Sequence, residues 1–209
     1  VFEDDAYVAA SRAGVLDNHM LEQLGEELRA IKPMTAVFEQ EYVKNLHGNH
    51  IKEGTSKWDL AEQLATDIQT FSEPNGCDRL VAVWCGSTEV YREPSEVHQT
   101  LAAFEQGLKD SAPEIAPSQI YAYAMLKLGI PMANGAPNLN LDTPALLELA
   151  AINPVPVTGK DFKTGQTLMK TILAPGFKAR MLGVEGWYST NILGNRDGEI
   201  LDDPESFKA

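Results

Sequence analysis

Leu80-Val81-Ala82-Val83-Trp84 is followed by Cys85-Gly86-Ser87-Thr88-Glu89. Five apolar residues in a row, bounded by turn-forming residues, predict a strand buried on both faces of a parallel sheet. The small polar residues then fall at its carboxyl end, the edge where ligands gather in open α/β sheets. Gly86 and Ser87 carry so little side chain that a dinucleotide can lie against their backbone. Cys85 is a weaker candidate for a nucleophile, because no histidine stands in a recognisable partner motif.

Downstream, the same alternation repeats. Pro94-Ser95 opens a helix carrying Val97, Leu101, Phe104 and Leu108, and Pro117-Ser118 opens another with Ile120, Tyr121, Ala124, Met125 and Leu128. Gly129 stops that helix, residues 130–133 read as a strand, and Asn134-Gly135-Ala136-Pro137-Asn138 forms a second strand-end loop. Asp142-Thr143-Pro144 starts a helix, with proline in its first turn. Residues 155–157 are the next strand, residues 164–173 the next helix, and residues 181–187 alternate loosely, as a further strand would. Strands alternating with helices predict an α/β fold with a largely parallel sheet.

Upstream, residues 4–30 are helical with a break near Gly14, and Lys32-Pro33 ends the run because the residue before proline disfavours the α region. Residues 35–54 read as loop with short elements. Ser56 and Asp59 have capping-box spacing, and the helix they open places Trp58, Ala61, Leu64, Ala65, Ile68 and Phe71 on one stripe.

The chain has 209 residues, 44% of them hydrophobic, and a formal charge of −13. That is enough to bury a sizeable core. The acidic surface argues against nucleic acid and anionic membranes as partners. A phosphorylated substrate would need a local concentration of cations. Lys160, Lys163, Lys170, Lys178 and Arg180 supply one, although a solvated helix face explains them equally well. Cys77 and Cys85 lack metal-ligand spacing and read as reduced thiols of a cytoplasmic protein. His47 and His50 have no acidic or thiol partner nearby and read as structural or surface histidines, so no metal is expected.

Residues 155–207 hold the densest chemistry. Thr164, Gly165, Gln166 and Thr167 precede the apolar positions Leu168, Met169, Ile172 and Leu173. A helix start presents unpaired N–H groups and the positive end of a dipole, which suits a phosphate ester. Asn191-Ile192-Leu193-Gly194-Asn195-Arg196-Asp197-Gly198 follows, dense in amides. Taken singly, each stretch reads as a helix cap or a polar turn.

Four segments, residues 81–91, 134–146, 159–170 and 189–198, together resemble the myo-inositol-1-phosphate synthase family. They carry its Trp-x-x-x-Thr-Glu turn, its Asn-Gly-x-Pro-Asn loop and its signature region, in that order. The resemblance implies a Rossmann-like domain over residues 1–166, lacking its first strand and Gly-rich turn. It also implies the start of an α+β catalytic and tetramer-forming domain over residues 167–209. The implied chemistry converts D-glucose 6-phosphate to 1D-myo-inositol 3-phosphate with NAD. C5 is oxidised, the ketone enolises, C6 attacks C1, and the ring ketone is reduced again.

Carried over residue by residue, Thr164, Gly165, Gln166, Thr167 and Leu193 fall on phosphate- and substrate-binding positions. Asp161, Lys163 and Asn191 fall on the reacting centre, Lys163 in an electrostatic role. Gly86, Ser87, Thr88, Gly135 and Asp197 face the cofactor. Thr164 stands where the family has serine. Lys160 replaces the second acid of eukaryotic members, which suggests a bacterial-type variant. The family's glycine turn would lie before Val1 and its catalytic lysines beyond Ala209, so the chain reads as an internal piece, inactive alone. A non-catalytic sugar-phosphate or dinucleotide-binding homologue and another NAD-dependent sugar-phosphate enzyme remain as alternatives.

Overall fold

The computed structural model describes every residue except 1, 2, 15, 163, 164, 188–196 and 209; the side chains of residues 165–167 and 197 also lie outside the description. Three strands, β1 (Ala82–Trp84), β2 (Met132–Asn134) and β3 (Val157–Thr158), form a parallel sheet in the order β1-β2-β3. Trp84 is paired with Asn134 and Ala133 with Thr158, so the three strands end at one edge. Parallel neighbours need crossover connections. Here they contain α5 (Leu101–Lys109) and α6 (Pro117–Lys127) between β1 and β2, and α7 (Pro144–Ile152) between β2 and β3.

Before the sheet come α1 (Ala6–Ala13), α2 (Asn18–Gln23), α3 (Gly25–Ala30) and the longer α4 (Lys57–Ser72). After it come α8 (Gly165–Ala179) and α9 (Asp197–Leu201). The expected break at Gly14 is where α1 ends, and Ile31 leaves α3 in an extended conformation. At α4 the Ser56 hydroxyl accepts the Asp59 N–H at 3.1 Å. The Asp59 carboxylate bonds the N–H of Thr55 at 2.8 Å, one residue before the partner a capping box would use.

Helix α6 is the centre of the molecule. Ile120, Ala122, Tyr123, Ala124 and Leu126 are all buried, and a helix apolar on nearly every side belongs inside a core. Phe104 and Leu108 of α5, Leu146 of α7, and Ala61 and Leu64 of α4 belong to the same cluster. Each large side chain there contributes about 1.5–3 kcal/mol by leaving water. A second cluster joins Tyr42, Val43, Val90 and Ala116 to Ile200 of α9. Asn45 and Tyr91 also donate to the carbonyls of Glu199 and Glu205, at 2.5 and 3.3 Å.

Three expectations are corrected. β1 is buried on one face only, with Val81 70% and Val83 53% exposed on either side of buried Ala82. Alternate residues of a strand point to opposite faces, and Leu80, Ala82 and Trp84 pack on the core while Val81 and Val83 stand on the open face. Residues 181–187 form no strand: among the described residues no strand pairs with them, and Met181, Leu182 and Val184 are exposed. Phe71 lies on the outer side of the last turn of α4, 51% exposed.

Candidate active site

The three strands deliver three loops to one edge. Gly86, Ser87 and Thr88 follow β1, Gly135 to Asn138 follow β2, and Asp161 follows β3 by three residues. Backbone hydrogen bonds stitch them together. Gly135 donates to the Trp84 carbonyl at 2.9 Å, Phe162 to the Gly135 carbonyl at 3.1 Å, and Asp161 to the Ala136 carbonyl at 3.2 Å. The sequence-predicted residues Gly86, Ser87, Thr88, Gly135 and Asp161 are therefore neighbours across one strand-end edge.

Gly135 is required by close approach. A Cβ there would stand 2.3 Å from the Phe162 ring and 2.7 Å from the Trp84 carbonyl oxygen. A Cβ on Gly86 would fall 2.5 Å from the Trp84 indole. Among the described residues, the N–H groups of Cys85, Gly86, Ser87 and Thr88 donate to no protein acceptor. Four consecutive unspent donors at the carboxyl end of a parallel strand form a site that can receive polar ligand groups.

The turn borders a cavity of about 630 Å³ walled by Trp84, Gly86 and Ser87, by Tyr121 and Met125 of α6, and by Phe38 of the preceding loop. The buried Trp84 Nε1 has no partner among the described residues. The cavity lies within the size range of small-molecule and cofactor sites.

Two polar residues that sequence reasoning gave no role support this edge from behind. The Asn138 side chain donates to the Ser87 carbonyl at 3.1 Å and accepts the Glu89 N–H at 3.1 Å. The Glu89 carboxyl is buried against the start of α6, where Ser118 donates its N–H at 2.9 Å and its hydroxyl at 2.5 Å. Burial pushes Glu89 up to about 7, with the Ser118 hydrogen bonds acting the other way. The sequence signals were an acid directly after a strand-end turn, and a second asparagine within one loop.

The other expected residues are placed unevenly. Gly165 begins α8, as expected of the helix start; the side chains of Gln166 and Thr167 lie outside the described residues, as do Lys163, Thr164, Asn191 and Leu193 entirely. Asp197 begins α9, with its side chain likewise outside the description. Of the basic island, Lys160 pairs with Asp142 at 3.4 Å, and Lys170 lies 5.7 Å from the Trp187 ring. His47 contacts Gln40 and His50 the Pro33 carbonyl, at 3.2 and 3.0 Å. No described helix is long and apolar enough to cross a membrane.

The parallel sheet, the crossover helices and the open turn at the strand ends define an α/β protein of the dinucleotide-binding type. A family model of NAD-binding domains, described as myo-inositol-1-phosphate synthase, matches residues 1–201. The chain belongs to the myo-inositol-1-phosphate synthase family.

Inositol-3-phosphate synthase 1 of Bacteroides thetaiotaomicron is 53% identical over the whole chain, which covers 49% of that protein. Inositol-3-phosphate synthase of Saccharomyces cerevisiae is 32% identical over 98% of the chain and 40% of its own length. The crystal structure of inositol-3-phosphate synthase from Caenorhabditis elegans superposes with a TM-score of 0.88 at 28% identity, over 98% of this chain and 41% of that one. The chain thus spans about half the length or less of these relatives.

Proposed function

We propose that the protein carrying this chain converts D-glucose 6-phosphate to 1D-myo-inositol 3-phosphate in an NAD-dependent reaction without net redox change. The observation that carries this reading is the 53% identity to a bacterial inositol-3-phosphate synthase, sustained across all 209 residues. The local chemistry agrees with it. The unspent N–H groups of Gly86, Ser87 and Thr88, beside the orphaned Trp84 Nε1, suit a polar dinucleotide laid along the turn. Bound there, NAD supplies a reversible acceptor for hydride.

The chain's own residues bind and orient. Gly86, Ser87, Thr88, Gly135 and Asp197 form the cofactor side. Thr164, Gly165, Gln166 and Thr167 hold the substrate phosphate with helix-start N–H groups and hydroxyls, assisted by Leu193. Asp161, exposed and one hydrogen bond from the Gly135 loop, joins Lys163 and Asn191 at the reacting carbons. Lys163 stabilises negative charge as it develops on oxygen. Residues 1–166 are the dinucleotide-binding unit, and residues 167–209 open a catalytic and tetramer-forming unit of a cytoplasmic enzyme.

Phosphorus NMR of glucose 6-phosphate with NAD and the full-length protein tests this reading. Inositol phosphate appearing without accumulated NADH is the expected result. Net NADH would point to another oxidoreductase, and unchanged substrate with a folded, NAD-binding protein to a binding homologue.

A further inference from the structure

We propose that Asn138 is the positioning residue of the dinucleotide turn, its side chain extending the sheet's hydrogen-bond ladder one step past the last paired strand residues. The proposal rests on the reading of residues 86–88 as the cofactor side of the site.

The ladder ends at Trp84 and Asn134, with Gly135 donating to the Trp84 carbonyl. Beyond that point the two loops separate and no backbone pairing remains between them. The side chain of Asn138 takes over, donating to the Ser87 carbonyl and accepting the Glu89 N–H, each at 3.1 Å. A strand residue in a parallel sheet likewise bonds two neighbours that are two residues apart. The planar amide of Asn138 therefore stands in for the N–H and C=O of one residue of a neighbouring strand. Its orientation is fixed by its partners, since a carbonyl only accepts and an N–H only donates.

Asn138 is itself held. It is 2% exposed, and its own carbonyl accepts from the Asn134 side chain at 2.8 Å, while Asn134 Oδ1 accepts the Ala136 N–H at 3.1 Å. Pinning Ser87 and Glu89 leaves Thr88 bridged between two fixed residues. The N–H groups of Gly86, Ser87 and Thr88 are thereby held open before a ligand arrives. Preorganised donors bind more tightly than donors that must first be ordered. The amide carries the donor for the Ser87 carbonyl and the acceptor for the Glu89 N–H on one rigid planar group.

The test is NAD titration by calorimetry on the full-length protein and its Asn138→Asp and Asn138→Leu variants, with thermal melts run in parallel. Aspartate keeps the acceptor for Glu89 but sets an oxygen against the Ser87 carbonyl, whereas leucine removes both bonds. Both variants should bind NAD at least ~10-fold more weakly, with KM for NAD raised and kcat at saturating NAD within about twofold of wild type. Lowered melting with an unchanged Kd for NAD would overturn the proposal.

A folded wild type that binds no NAD would instead overturn the reading of the turn itself, and this inference with it. Hydrogen exchange of the wild type supplies an independent check should the variants not fold. The Glu89 amide should be protected without NAD, and those of Gly86, Ser87 and Thr88 only with it. Equal exchange at all four amides without NAD would sink the proposal.

Discussion

The Glu89 carboxyl takes both hydrogens that Ser118 offers, the backbone N–H at 2.9 Å and the hydroxyl at 2.5 Å, at the first turn of α6. A helix start favours a carboxylate there, yet burial outweighs it and pushes Glu89 up to about 7 from its ordinary 4.5. The folded state therefore binds this proton more tightly than the unfolded chain. Its stabilising contribution is complete below about pH 4.5, falls as pH rises toward 7, and is flat above that. The span corresponds to roughly 3 kcal/mol.

Asp59, Asp203 and Glu205 act on the acid side. Hydrogen bonds, from the Thr55 N–H, the Ser206 N–H and the Lys44 ammonium respectively, hold them below the usual carboxylate range. Their contributions are lost as pH falls through those lowered values. Urea midpoints measured from pH 4.5 to 8 should decline in the wild type and flatten in Glu89→Gln. Parallel curves for the two proteins would show that Glu89 does not carry the dependence.

Gly135→Ala and Gly86→Ala should differ in cost, although each adds one methyl to the same edge. At Gly135 the added carbon meets a carbonyl oxygen of the neighbouring strand at 2.7 Å, and backbone cannot step aside without breaking the ladder. At Gly86 it meets a tryptophan ring, which can rotate into the adjoining cavity. Overpacking penalties of about 1–3 kcal/mol place Gly135→Ala at the upper end and Gly86→Ala at the lower. Chemical denaturation of both variants decides it, and equal losses would mean that the backbone at Gly135 yields as readily as the Trp84 ring does.

Asp161 has a positive φ of 60°. Asparagine tolerates that left-handed conformation nearly as well as aspartate, whereas alanine pays about 1–2 kcal/mol for its Cβ. Asp161→Asn should thus leave the melting temperature within about 2 °C while abolishing most inositol phosphate formation, because the charge alone is removed. An active Asp161→Asn protein would remove this carboxylate from the reacting centre.

The order of strands and helices was legible because glycine, proline and capping residues punctuate apolar runs, as at Gly129 and at Asp142-Thr143-Pro144. The edge where Gly86, Gly135 and Asp161 meet followed from the parallel reading, since parallel strands end together. One-face burial of β1 was not legible, because an apolar run does not say whether a layer packs on both faces of its strand. Nor were Asn138 and Ser118: the first lies 51 and the second 29 residues from the groups they bind. Periodicity reports local faces and is silent on such distant polar pairings. Residues 181–187 misled for a related reason, since loose alternation without a pairing partner yields no strand.

Lys57 offers a test of how the wall of the cavity is held. Its ammonium, 6% exposed as a residue, bonds Glu39 at 2.9 Å and the Ile115 carbonyl at 2.6 Å, joining the start of α4 to the loop that carries Val37 and Phe38. Lys57→Met keeps the apolar stem and removes the charge, leaving Glu39 and the Ile115 oxygen without their donor. Breaking a buried pair from one side costs about 3–5 kcal/mol. Glu39 retains 27% side-chain exposure, so water can recover part of that, and about 2–3 kcal/mol is expected. Replacing both residues, Lys57→Met with Glu39→Leu, should cost less than the sum of the single changes. A double-mutant cycle on urea unfolding measures that coupling. Strict additivity would mean the pair is a bystander and that apolar packing alone holds this wall against α4 and α6.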